Sequence, residues 1–163
     1  MILLLLGCGV SDHDLQSENW RIQERAIEEL PIWQARRLVP YLDEAMLHER
    51  VRVVSAAADA LIRANSDEGE QALRKHLNGN RERGFVLRAL GNHQSKRSCD
   101  LLAELYVASL PGERTEEQEE LEAELRSTSL EEGWPCFQSL GPYRDRDPRV
   151  ERLWTEASKT LTL

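Results

Sequence analysis

The sequence predicts an all-α protein, a stack of antiparallel helix pairs amounting to about eight helices. Three observations predict it. Between Ala35 and Ala64 two amphipathic stripes follow one another: Ala35, Leu38, Val39, Leu42 and Met46, then Val51, Val54, Ala58, Leu61 and Ile62, both at the 3.6-residue period of a helix. The second of these helices carries a further stripe of small residues, Ala57, Ala60 and Ala64, on which another helix can sit closely, so it has room for two neighbours. Finally, Trp20-Arg21 followed by Ala26, Ile27 and Leu30 repeats Val51-Arg52 followed by Ala57, Ala58 and Leu61 at an offset of 31 residues, the self-similarity of a solenoid.

Composition bounds the function. The 163 residues suit one domain with a continuous core, and the low glycine and proline content argues against a disordered chain. With 21 basic and 29 acidic residues the net charge is -8, which repels a phosphate backbone and disfavours nucleic acid as a partner. No phosphate-binding glycine loop, G-x-S-x-G or H-E-x-x-H motif appears, and His13, His48, His76 and His93 fall in different helical units. The reading is therefore non-enzymatic, with no metal, no cofactor and no small-molecule substrate expected.

Taken in order, residues 1–7 form a signal-like apolar segment, residues 8–17 a polar tether and residues 18–163 the helical domain. Leu5-Leu6-Gly7-Cys8 resembles a bacterial lipobox, in which the chain is cut before the cysteine and the thiol takes lipid. That resemblance implies a lipid anchor on Cys8 and a bacterial cell-envelope address. The alternative is an apolar start to a cytosolic protein. His13 lies among acids in the tether and is read as solvated.

Ser17 is the expected N-cap of the first helix, whose buried stripe is Trp20, Ala26, Ile27 and Leu30, and Pro31 ends it. Pro40 lies inside the next helix, where it removes one hydrogen bond and crowds the carbonyl of Arg36, so a bend within one helix is expected. The third pair runs from Glu68 to Asn78 and from Arg81 to Gly91, with Leu73, Leu77, Phe85, Val86, Ala89 and Leu90 inside and Gly79 and Gly91 as stops. His76, next to Arg74 and Lys75, is expected at the surface, and His93 in a turn. The fourth pair opens at Ser95 with Cys99, Leu102, Leu105, Tyr106 and Leu110 on one side. Its partner, with seven acidic residues between Glu113 and Glu124, is expected to be a solvated helix with a narrow contact stripe. Trp134, Phe137 and Leu140 precede a loop, after which Asp147 as N-cap and Pro148 at the first helical position start the last helix, with Val150, Leu153, Trp154, Ala157 and Leu161 inside.

The pattern Leu38-Val39-Pro40-Tyr41-Leu42, a polar turn, Val51-Arg52 and the alanines from Ala56 to Leu61 resembles a HEAT repeat. The resemblance implies an α-solenoid of HEAT-like antiparallel helix pairs that acts as a protein-protein interaction scaffold, its partner another protein. It also brings a rival, because bilin lyases contain such repeats and would act on a chromophore-bearing partner. A cytosolic adaptor without lipid is the other alternative. In HEAT-like stacks the second helices line the concave face, which makes Arg52, Asp59, Arg63, Arg81, Arg83 and Arg88 the partner-binding candidates. Arginine grips carboxylates at two points. Arg52 is open to a structural reading too, as an ion-pair partner of a neighbouring unit, whereas no motif accounts for Arg63 and Arg88. Cys99 and Cys136, placed on parallel first helices of successive units with two turns of stagger, are expected to stay unpaired.

Overall fold

The computed structural model describes residues 10–79, 81–93, 95–111, 114–126 and 136–160. Every regular element among them is helical: ten α-helices and one 3₁₀ segment. In chain order these are α1 (Asp12–Leu15), α2 (Trp20–Glu28), α3 (Ile32–Arg37), α4 (Val39–Ala45), α5 (Val51–Ala64), α6 (Asp67–His76), α7 (Arg83–His93), α8 (Lys96–Ser109), α9 (Glu116–Arg126), the 3₁₀ segment (Cys136–Arg146) and α10 (Pro148–Thr160). That exceeds the expected eight, for identifiable reasons. The chain divides into two compact units, Met1–Val86 and Leu87–Leu163, the division falling inside α7.

The first unit is built around α5. Val53, Val54, Ala56, Ala57, Ala58, Ala60, Leu61 and Ala64 are all buried, which takes in most of the circumference, and α2, α3, α4 and α6 pack against it. The alanines are what let four helices share one axis, since small side chains allow backbones to approach. Val51, expected on the buried stripe, is instead exposed at the first position of the helix. The helix ends at Asn65, whose φ of 45° puts it in the left-handed region, and its N–H donates to the Ile62 carbonyl at 3.0 Å. Asparagine tolerates that conformation better than other non-glycine residues, and it lets the chain reverse into α6.

Two of the extra elements come from proline and capping chemistry. Leu38, with φ -100° and ψ 15°, ends α3 and precedes α4, so the bend expected at Pro40 is resolved as two short helices. Pro40 then occupies the first turn of α4, where its missing N–H costs nothing. Nor is the stretch before Ser17 a plain tether. Ser11 caps α1 by accepting from the Asp14 N–H, Leu15 is buried, and the Leu15 carbonyl accepts from the Tyr41 hydroxyl at 2.5 Å. Consequently α2 begins later than expected, with Asn19 rather than Ser17 as its cap.

The second unit is built differently. Here α8, α9 and α10 all contact the 3₁₀ segment, and Cys136, its first residue, is bonded to Cys99 of α8 with the Cα atoms 4.6 Å apart. The expectation that these cysteines stay unpaired is overturned. It assumed a stagger of two helical turns between the cysteines, whereas the 3₁₀ segment that carries Cys136 packs directly on α8 and brings the two Cα atoms together. Phe137, Ser139 and Leu140 are buried behind the disulfide, and the Ser139 hydroxyl donates to Asp100 of α8 at 2.7 Å. Pro142, inside the segment, cannot donate a backbone bond. Phe137 meets Trp154 of α10 edge-on at 6.2 Å, and Arg144 lies over the other ring system of that pair at 3.9 Å while gripping Glu151 through two bonds of 2.6 and 2.8 Å.

Helix α9 shows the narrow stripe expected of it. Gln118, Leu121, Glu122 and Leu125, spaced i, i+3, i+4 and i+7, are its buried residues. The Tyr106 hydroxyl donates to Glu122 at 2.8 Å, and Arg114 reaches the other carboxylate oxygen at 3.3 Å. Burial first, and then the hydrogen bond to Glu122, push the Tyr106 phenol well above its ordinary range. As expected, α10 starts with Asp147 accepting from the Arg149 N–H and with Pro148 in the first helical position.

Candidate functional site

The candidate arginines divide by what holds them. Arg63, on α5, donates to the carbonyls of Ile27 and Leu30, both at 3.0 Å, and so closes the C-terminal end of α2. Arg36 does the same for α5 through the Ala64 carbonyl at 2.6 Å, and Arg81 reaches the carbonyls of His48 and Glu49 at 3.0 and 2.7 Å. In the second unit Arg149 donates to the Leu110 carbonyl at the end of α8. The last carbonyls of a helix lack intrahelical partners and carry the negative end of its dipole, so a guanidinium from a neighbouring helix satisfies both needs. Arg63 is therefore structural, and its substitution is not a clean probe of binding. The signal in the sequence was its position on α5 opposite the end of α2, which only the packing reveals.

Arg52 remains at the surface. It is 72 % exposed and stands 3.7 Å from Glu24 of α2, in the same compact unit. Asp59 is half-buried on α5, and Arg83 half-buried at the start of α7. Arg88 is exposed and belongs to the second unit. Cys8 lies outside the described residues.

Around Arg52 the structure places a group that the periodicity did not single out. The turn from α4 into α5 exposes Leu47 and Val51, at 59 and 53 %. Arg50 and Arg52 stand on either side of Val51, paired with Glu49 at 3.4 Å and with Glu24 at 3.7 Å, and Arg81 is bonded to the backbone of the same turn. Exposed aliphatics bordered by arginine are the makings of an interface core with a cationic rim. A stripe analysis misses Leu47 because it lies between helices, and misreads Val51 as buried because that residue stands at the first position of α5.

A second missed group joins α4 to α6. His76 is buried, at 4 % exposure, and its Nε2 is 2.7 Å from one oxygen of Asp43, whose other oxygen accepts from Lys75 Nζ at 2.8 Å. This corrects the expectation of a surface histidine. Burial alone would raise the Asp43 pKa, but the bonds from Lys75 and His76 outweigh it and hold the carboxyl below its ordinary value. With both oxygens occupied, Asp43 works as a staple between helices.

A third group lies where the described chain begins. The Gln34 side chain grips the Val10 backbone at both ends, Oε1 accepting from its N–H at 3.0 Å and Nε2 donating to its carbonyl at 2.7 Å. Beside Val10 opens a groove of about 690 Å³ lined by Ser11, Asp14, Arg21, Ile22, Arg25 and Glu29. Among the described residues no group of three or more His, Cys, Asp or Glu could hold a metal, and no helix is long and apolar enough to cross a membrane. Compared with protein-family models and with curated proteins, the chain matches none.

Proposed function

We propose that this protein is a non-enzymatic scaffold, a short stack of HEAT-like helix pairs anchored by lipid on Cys8 in a bacterial cell envelope, which binds an acidic segment of another protein. The observation that carries the binding surface is the exposure of Leu47 and Val51 on the turn that also carries Arg50 and Arg52. Apolar area supplies the affinity there, while the arginines select carboxylates and speed the encounter. The HEAT-like reading is supported by α5, which carries neighbours on several sides as an inner repeat helix must, and by the Arg52–Glu24 pair. The address draws support from the cysteines. Structural disulfides belong to oxidising compartments, and once Cys99 and Cys136 are paired the remaining cysteine is Cys8, the residue the lipobox needs.

The test has two arms. Mass spectrometry of the native membrane fraction should find the chain starting at a lipidated Cys8, and an intact Met1 with a bare Cys8 thiol would remove the anchor. Affinity capture from detergent-solubilised membranes should retain one acidic partner, released as salt rises. The R50E/R52E double variant should bind it at least tenfold more weakly with helical content and Tm unchanged. Equal capture by that variant would remove the α4–α5 edge as the site. Both side chains are exposed, so the variant folds; Arg63→Glu, by contrast, would strip the cap from α2.

A further inference from the structure

We infer that the corner of the first unit carrying Ile32 and Trp33 is a membrane-contact face, which lies on the lipid surface and fixes how the anchored protein stands. The inference rests on the lipid anchor at Cys8. Cys8 precedes Val10 by only two residues. Val10 in turn is fixed, because both of its backbone groups are held by Gln34, itself buried on α3. A lipid on Cys8 would therefore enter the bilayer beside the first turn of α3.

That turn exposes two large apolar groups. Ile32 is 55 % and Trp33 58 % exposed, and they immediately precede Gln34. Ile22, also exposed, lines the groove next to Val10. Tryptophan has an apolar body with a polar N–H, which suits the boundary between headgroups and acyl chains. On a protein in free solution this side chain would cost hydration without return, but next to an anchored acyl chain it has an apolar phase within reach. Arg37, exposed at the end of the same helix, and Arg21 and Arg25, in the groove, add positive charge that can meet lipid phosphates. Asp14 and Glu29 line the groove too, and the net charge of -8 opposes anionic lipid, so the contact is driven by the apolar groups.

The acyl chains hold the protein at the membrane by themselves. The contact at α3 therefore governs orientation, turning the α4–α5 edge to a set direction for its partner.

To test this without depending on native lipidation, the full chain with its Cys99–Cys136 bond closed is coupled through the Cys8 thiol to a maleimide lipid in phosphatidylcholine vesicles. Brominated acyl chains quench tryptophan at short range, and Trp33→Phe isolates the Trp33 share of the emission. Trp33 should be quenched at least twofold in brominated relative to ordinary vesicles, and Ile32→Asp should reduce that quenching. An unquenched Trp33 on vesicle-bound protein would overturn the membrane face even if native Cys8 carries lipid. Quenching here, with a bare thiol on native Cys8, would overturn the anchor on which the inference rests.

Discussion

The two units reach a packed core by different means. In the first, a helix rich in alanine forms the axis and its neighbours come close because there is little side chain to keep them away. In the second, the common partner of α8, α9 and α10 is an eleven-residue 3₁₀ segment, a conformation with poorer hydrogen-bond geometry that seldom runs beyond three or four residues. It is held by other means: the bond to Cys99, the Ser139–Asp100 contact, and the stack of Phe137, Trp154 and Arg144. An axis made by packing is distributed over many small contacts, whereas the 3₁₀ segment relies on a few specific ones, the cross-link foremost.

The largest expected effect follows directly. Replacing Cys99 and Cys136 by alanine removes a cross-link between residues 37 apart in sequence. By chain entropy a closed loop of that size is worth about 4 kcal/mol, enough to unfold a marginal unit. Hydrogen exchange read by segment should show α8, the 3₁₀ segment and α10 losing protection while α5 and α6 keep theirs. Equal loss in both would break the contrast between the units, and no loss in either would show that packing alone holds the second.

A smaller effect sharpens the contrast from the other side. Gly69, in the first turn of α6, is buried against α5, and a Cβ built there would stand 2.9 Å from the Leu61 carbonyl oxygen. Alanine is the better helix former by up to about 1 kcal/mol, but the obstacle is backbone and the two helices must part, at about 1–3 kcal/mol. The overpacking cost is the larger, so Gly69→Ala should destabilise the first unit by up to about 2 kcal/mol, seen as faster exchange in α5 and α6 and unchanged exchange in α10. A stabilised variant would mean that the close approach of α5 and α6 is slack.

The same contrast explains what the sequence could show. Periodicity reports how side chains are distributed around a regular helix, so the two stripes of α5 and the narrow stripe of α9 through Leu121 and Leu125 were legible, while Gln118 and Glu122, buried there as polar residues, were not. The 3₁₀ segment has no 3.6-residue period to detect, and the pairing of Cys99 with Cys136 depends on where that segment begins. At His76 the signal was present and was outweighed: it stands i+3 from Leu73 and next to Leu77, on the buried stripe, but Arg74 and Lys75 beside it suggested surface. Neighbours in sequence point in different directions on a helix, so the stripe was the better guide. Arg63 and Arg81 were legible as arginines on α5 and before α7, but their carbonyl partners lie 32 to 36 residues away and no local pattern encodes them.

The smallest effect concerns the staple between α4 and α6, where the first unit does rely on a few polar bonds. Asp43 has its carboxyl pKa lowered by Lys75 and His76 against the opposing effect of burial. The unfolded chain therefore binds the proton more readily than the folded one, and acid favours unfolding. The contribution is complete above the unfolded value, about pH 4, and is lost as pH falls through the lower folded value. Lys75 is largely exposed, so solvent screens its share and the whole is expected to stay near or below about 1 kcal/mol. Asp43→Asn should lower the stability of the first unit by a constant small amount from pH 5 to 7, and the gap from the parent should close below about pH 4. Urea denaturation followed through amide resonances of α6 would measure it. A gap that widens in acid would mean that Asp43 is not the group whose protonation loosens α4 from α6.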